Sequence, residues 1–131
     1  MSFAAGQAWA YRSPEGFEHS CIVIGAIVRY EARESIICFC VYNAPRSANS
    51  APDDTVIVPF IPMSESAFAA TVTALVANDA ALPESFADQL HGWSNDERGL
   101  AVFTVPFLGF VNQMMTMQVQ AAQQPANYAA R

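Results

Sequence analysis

The stretch Thr55 to Val76 limits the possible folds more than any other, because one apolar pattern ends there in a proline and a second one with a different period begins. Thr55-Val56-Ile57-Val58-Pro59-Phe60-Ile61 is β-branched and apolar enough for a buried strand, and Pro62 forbids its regular continuation. Ser64 is then placed as a helix N-cap, with Met63 and Phe68 at the two positions that close a hydrophobic staple. Phe68, Val72, Leu75 and Val76 recur at i, i+4, i+7 and i+8, which predicts one apolar stripe on a helix. A stripe needs a surface to cover, and the comparable apolar surface upstream is strand-like. The expected fold is therefore α+β: a strongly bent antiparallel sheet of about five strands, an SH3-like partial barrel, covered by two or three helices.

Upstream, Trp9 and Tyr11 share one face of a short strand that follows Gly6. Ser13-Pro14-Glu15-Gly16 reads as a turn, and Phe17 to Tyr30 as the longest strand. Its faces read as Ile22, Ile24, Ala26, Val28 and Tyr30 against Phe17, His19, Cys21, Val23, Gly25 and Ile27. Both are apolar in the middle, so the strand is expected to be buried on two sides or to change sheets, with Gly25 at the bend or bulge. Glu31 to Glu34 is short enough for a hairpin loop, which pairs the strand with Ser35 to Tyr42. Asn43 to Asp54 is rich in Pro, Ser, Asn and Asp and reads as a long surface loop. The opening Gly6-x-x-Trp9-x-Tyr11 before a long bent strand resembles small barrel domains in general, a likeness of fold that implies no activity.

Beyond the central stretch, Pro83 fits the first turn of a helix whose buried face is Phe86, Leu90 and Trp93, with His91 and Gly92 near its end. Leu100 to Val105 reads as a further strand. A last helix is expected from about Pro106 to Gln120, its apolar face broadened by Phe107, Phe110, Val111, Met114, Met115 and Met117. Residues 1–120 then form one domain, and Ala121 to Arg131, rich in Ala and Gln, form a flexible tail.

Charge narrows the partners. The 131 residues carry 12 Asp and Glu against 6 Arg and no Lys, a net charge of -6, and only 14% of them are charged. Phosphate backbones and anionic lipid repel such a chain, so neither nucleic acid nor a membrane is expected as a partner. Sparse charge instead fits a surface covered by another protein or by a second copy. No apolar run approaches the roughly 20 residues of a membrane helix, and no leader is visible at Met1 to Gln7. Three cysteines, Cys21, Cys38 and Cys40, sit in apolar strands and read as reduced thiols of a cytoplasmic protein.

No stretch carries a specific catalytic motif. His19, Cys21, Cys38 and Cys40 have the donor set of a zinc site, yet the expected hairpin places Cys38 near Ile27, roughly 20 Å along the strand from Cys21. His91 reads as a helix-terminal histidine meeting the dipole. No catalytic, cofactor-binding or metal residue is assigned. The favoured reading is a non-catalytic protein-binding module, an adaptor, inhibitor, immunity-type partner or homo-oligomer, with Met114, Met115, Met117, Asp53 and Asp54 as partner-binding candidates. The alternative is a small-molecule-binding barrel or small enzyme with a cleft between sheet and helices, using groups such as His19, Tyr11 or Arg29.

Overall fold

Two adjacent strands with apolar residues on both faces demand cover above and below, and the architecture follows from that demand. The computed structural model describes residues 2–46, 50–51, 53–96, 100–107 and 119–122. Its elements are β1 (Ala8–Tyr11), β2 (Cys21–Val28), β3 (Ile36–Pro45), β4 (Thr55–Ser64), α1 (Glu65–Thr71), β5 (Val72–Ala77), α2 (Ser85–Ser94), β6 (Leu100–Phe103) and β7 (Val119–Ala122). The fold is α+β. Among the described residues one sheet of seven strands runs in the order β5-β1-β2-β3-β4-β6-β7, with β5 and β7 at its two ends and no pairing between them. Strand count and direction of pairing both differ from expectation, since the sheet exceeds five strands and β6 joins β4 in parallel through Met63 and Phe103.

Side-chain parity in β2 and β3 separates two cores. Ile22, Ile24, Ile37, Phe39 and Val41 join Trp9, Tyr11 and α1's Phe68 in the first. Val23, Val28, Ile36, Cys38 and Cys40 join α2's Phe86 in the second. The two helices thus cover opposite faces. The β2 register against β3 shifts between Ile24 and Ala26, making Gly25 the bulge residue, and the shift inverts the faces after it. Ala26, Val28 and Tyr30 therefore line the second core and not the face of Ile22 and Ile24, which the uninterrupted alternation of the sequence predicts. The same bulge pairs Cys38 with Ala26, one residue from its expected neighbour.

The central stretch is also reorganised. β4 continues through Pro59 and Pro62 to Ser64, which is tolerated because its far side meets β6 at a single described pair. Between Ile61 and Val58 the register gains a residue on β4, and between Val41 and Ala44 it gains one on β3, so two bulges offset one another. Ser64 is the helix N-cap as expected but makes no side-chain capping bond. Glu34 of the β2–β3 loop caps α1 instead, accepting the Ser66 N–H at 3.0 Å and the Ser66 hydroxyl at 3.2 Å.

The expected stripe from Phe68 to Val76 is cut in two. α1 ends at Thr71, and Val72 to Ala77 form a strand paired with β1. Phe68 and Val72 are buried, but Leu75 is 45% and Val76 64% exposed. The reason lies in Val72, Thr73 and Val76, whose β-branched side chains fit an extended backbone better than a helix. Thr71 seals the joint. Its hydroxyl donates to the Ala67 carbonyl at 2.8 Å and accepts the Phe107 N–H at 3.1 Å, while the Phe107 ring lies 5.7 Å from that of Tyr11.

The last expected helix is not formed at either end that can be described. Pro106 and Phe107 are non-helical, and Val119 and Gln120 belong to β7, which pairs with β6 through Ala121 and Ala122 as well. Met114, Met115 and Met117 lie outside the described residues.

Gly25 packs directly under α2, because a Cβ there would overlap the ring of Phe86. Gly25→Ala is expected to cost about 1–3 kcal/mol by overpacking. In Phe86→Leu the ring is gone, so adding Gly25→Ala to it should cost clearly less than in the wild type. Urea unfolding of the two single variants and the double variant gives the coupling; strict additivity would contradict the contact.

Candidate functional site

Two surfaces are candidates, a polar cleft at one end of the β2–β3 hairpin and the edge of β5 that no described strand pairs with. The cleft begins with two consecutive tight turns between β1 and β2. Phe17 N–H donates to Pro14 and Ser20 N–H to Phe17, both at 3.0 Å. Gly16, at φ +90°, supplies the left-handed residue that this tight path requires. The turns bury Phe17 and Ser20 and leave His19 exposed. Facing them is Asn43 of β3, at φ +57°, a conformation that asparagine tolerates better than most residues. Its amide donates to the His19 carbonyl at 3.4 Å. With Thr55 they line a half-open cleft of about 250 Å³ together with Gly16, Phe17, His19 and Ser20.

Behind the cleft runs a short hydrogen-bond chain. The Ser20 hydroxyl donates to the Tyr42 carbonyl at 3.0 Å, so the Tyr11 hydroxyl, 2.7 Å away, is the donor to Ser20. Burial raises the Tyr11 pKa, with the Ser20 bond working in the opposite direction. Ser20 Oγ is engaged with Tyr11 and Tyr42, and among the described residues it makes no bond to His19. What remains is a recess with an aromatic wall, an imidazole, an amide and a hydroxyl. Of the groups expected around a cleft between sheet and helices, His19 lines this recess, Tyr11 reaches it only through Ser20 behind it, and Arg29 follows the opposite end of β2.

The cysteines do not converge on a metal. Cys21 pairs with Tyr42, Cys40 with Val23 and Cys38 with Ala26, which spreads them along the hairpin. Among the described residues no three His, Cys, Asp or Glu side chains are grouped as ligands. Burial pushes the thiol pKa of Cys21 and Cys38 up, and that of Cys40 up to about 11. All three are free.

Asp53 and Asp54 lie on the turn before β4. Asp54 accepts from Arg46 Nε at 3.2 Å across the base of the β3–β4 loop, with both side chains largely in solvent. Such a pair contributes about 0–1 kcal/mol. Asp53 is exposed beside it.

The second surface is one that sequence reasoning missed because it was assigned to a helix. β5 pairs with β1 on one side, and among the described residues no strand pairs with it on the other. Thr73 to Ala77 are all exposed, and the run Thr71 to Ala77 contains no ionisable side chain. Natural edge strands are usually protected by charge, proline or a bulge facing outward. β5 has irregular register against β1 but neither charge nor proline. The signal available in the sequence was its density of β-branched residues.

No helix among the described residues is long and apolar enough to cross a membrane.

Ser20→Ala is expected to cost about 1–3 kcal/mol, because it strands the buried Tyr11 hydroxyl and the Tyr42 carbonyl. Tyr11→Phe added to it should restore part of that loss, as measured by denaturant midpoint at constant slope. In a separate measurement, a thiol reagent at pH 8 should leave Cys38 and Cys40 unmodified in the folded chain and modify all three cysteines in denaturant. The raised pKa of Cys40 stabilises the fold fully below the unfolded thiol's 9.0, and that contribution fades as pH climbs through about 11.

Comparison with protein-family models, with curated proteins and with solved structures finds no match in any of the three.

Proposed function

We propose that this chain is a non-catalytic protein-binding module that accepts an extended segment along the free edge of β5. One observation carries the reading: Leu75 and Val76 are adjacent large apolar residues on β5, and both are exposed, at 45% and 64%. An added strand would pair the outward N–H and C=O groups of β5 and cover both side chains. Strand addition needs no charge of its own, which agrees with the neutral run Thr71 to Ala77. The bulges at Gly25, Asn43 and Pro59 bend the sheet, in keeping with an SH3-like partial barrel. Three free thiols fit a cytoplasmic setting, where they stay reduced. In this reading the module works as an adaptor, an inhibitor or an immunity-type partner, or by self-association.

A second reading is favoured by the cleft at His19 and Asn43. Its volume of about 250 Å³ suits a small polar ligand. A left-handed asparagine in a strand at the rim of such a recess is the kind of constraint that accumulates at binding sites.

The two readings separate in an NMR titration of the isotope-labelled chain with short, uncharged, β-branched peptides matched in length to β5. Strand addition predicts amide shifts concentrated on Val72 to Ala77 and at least tenfold weaker binding by Val76→Lys. Peptides that leave β5 unmoved, or that shift Phe17 to Ser20 and Asn43 instead, would overturn it in favour of the cleft.

A further inference from the structure

We infer that the cleft between the β1–β2 turns and Asn43 is a site for a small neutral ligand built on a hydroxylated ring, a single sugar or a cyclic polyol. The inference rests on the second reading above and gives that cleft its ligand class. It does not involve the edge of β5.

Ionic ligands find no counter-charge there. Among the described residues no carboxylate, guanidinium or ammonium lines the recess, and His19 is its one titratable side chain. An ion entering it would give up hydration without meeting an opposite charge, whereas a neutral molecule exchanges hydrogen bonds alone. The net charge of -6 sets a further repulsion against anions.

Hydrogen-bonding capacity then selects hydroxyl groups. Asn43 commits one amide N–H to the His19 carbonyl, which leaves its second N–H to donate and its Oδ1 to accept. The Thr55 hydroxyl and the His19 ring make no hydrogen bond with another described residue. A hydroxyl both donates and accepts, and a neutral imidazole has one ring nitrogen of each kind. Ser20 Oγ donates to the Tyr42 carbonyl and accepts from Tyr11, so one lone pair is left on it. Asn43, Thr55 and His19 thus each present a donor and an acceptor, and a ligand hydroxyl answers both with one atom. His19 and Asn43 are exposed and therefore wet in the empty cleft. A ligand gains there only by reproducing the bonds of the waters it displaces, which hydroxyls do and apolar groups do not.

Size agrees with this choice. The volume of about 250 Å³ is room for roughly eight waters and falls short of the roughly 300 Å³ at which drug-sized pockets begin. Phe17 gives the C–H edge of a ring an apolar wall. Because each ligand bond replaces a bond to water in a half-open site, the expected affinity is millimolar.

The test is an NMR titration of the isotope-labelled full chain with ribose, glucose and inositol as neutral probes, and with acetate and methylammonium as charged ones at matched ionic strength. The neutral probes should give saturable shifts at the amides of Gly16, His19, Ser20, Asn43 and Thr55, and the charged ones should not. Asn43→Gly keeps the left-handed backbone and removes the amide, so it should weaken binding at least tenfold with a urea midpoint near that of the wild type. Thr55→Val removes the hydroxyl, keeps a β-branched side chain on the strand and should weaken binding severalfold. Wild-type affinity in both variants would overturn the proposal. Charged probes that bind at these amides while the neutral ones do not would overturn the ligand class and leave the cleft reading standing. No saturable shift with any probe would overturn the ligand class as well, and if peptides also leave these amides unmoved, the cleft reading falls with it.

Discussion

The structure depends on the pairing of β2 with β3, since this ladder supplies both faces that the rest of the chain covers. Ile22, Ile24, Ile37 and Phe39 on one side and Val23, Cys38 and Cys40 on the other are buried without exception. At about 1.5–3 kcal/mol for each fully buried large apolar side chain, this pair contributes more to the gross stabilisation than either helix. Each helix is short, at 7 and 10 residues, and neither is expected to persist alone. α1 is held by Phe68, whose ring lies 5.1 Å from Phe39 and 4.9 Å from Phe3. α2 is held by Phe86 and Trp93 around Phe60, and by the Trp93 indole N–H donating to the Ala101 carbonyl at 2.8 Å.

Bulges interrupt the regular register of this ladder. Gly25 lets Phe86 approach the sheet backbone and exchanges the faces of β2 beyond it. Asn43 does the corresponding work at the other end of β3, where its left-handed backbone accompanies the extra residue and opens the recess beside His19. The cleft thus lies beside the register shift between Val41 and Ala44. Its polar wall is anchored by Tyr11 and Ser20, which belong to the first core and to the turn before β2.

Much of this organisation was legible in the residues. The α+β class followed from the change of period after Pro62, and the doubly buried β2 and β3 followed from strands that are apolar on both faces. Gly25 announced the bulge, though not its consequence, because alternation read from sequence continues straight through a residue that resets it. The helix at Phe86, Leu90 and Trp93 was readable because its apolar positions repeat over the full length and proline precedes it. The stripe from Phe68 to Val76 misled for a physical reason. Its spacing fits a helix, but Val72, Thr73 and Val76 favour extended backbone, and β1 offered them a ladder that no local pattern reveals. The same long-range pairing hid the candidate interface. The cleft was legible only as a list of polar residues, since Asn43 and Thr55 reach His19 through the register of β3 and β4 rather than through sequence proximity.

The cap on α1 carries a consequence for the order in which the fold is assembled. Ser66 is capped by Glu34, and the Glu65 N–H donates to the Ser35 carbonyl at 2.9 Å, so the helix is nucleated by a turn far upstream. β1 can pair early with β2, but β5 reaches it only by joining Ala77 to Ala8 across the whole first half of the chain. Contact order of this kind slows folding, and closure of the long loop comes late. During synthesis the β2–β3–β4 meander can therefore condense while Thr71 to Ala77 are still emerging, so that β5 docks on a sheet whose centre already exists.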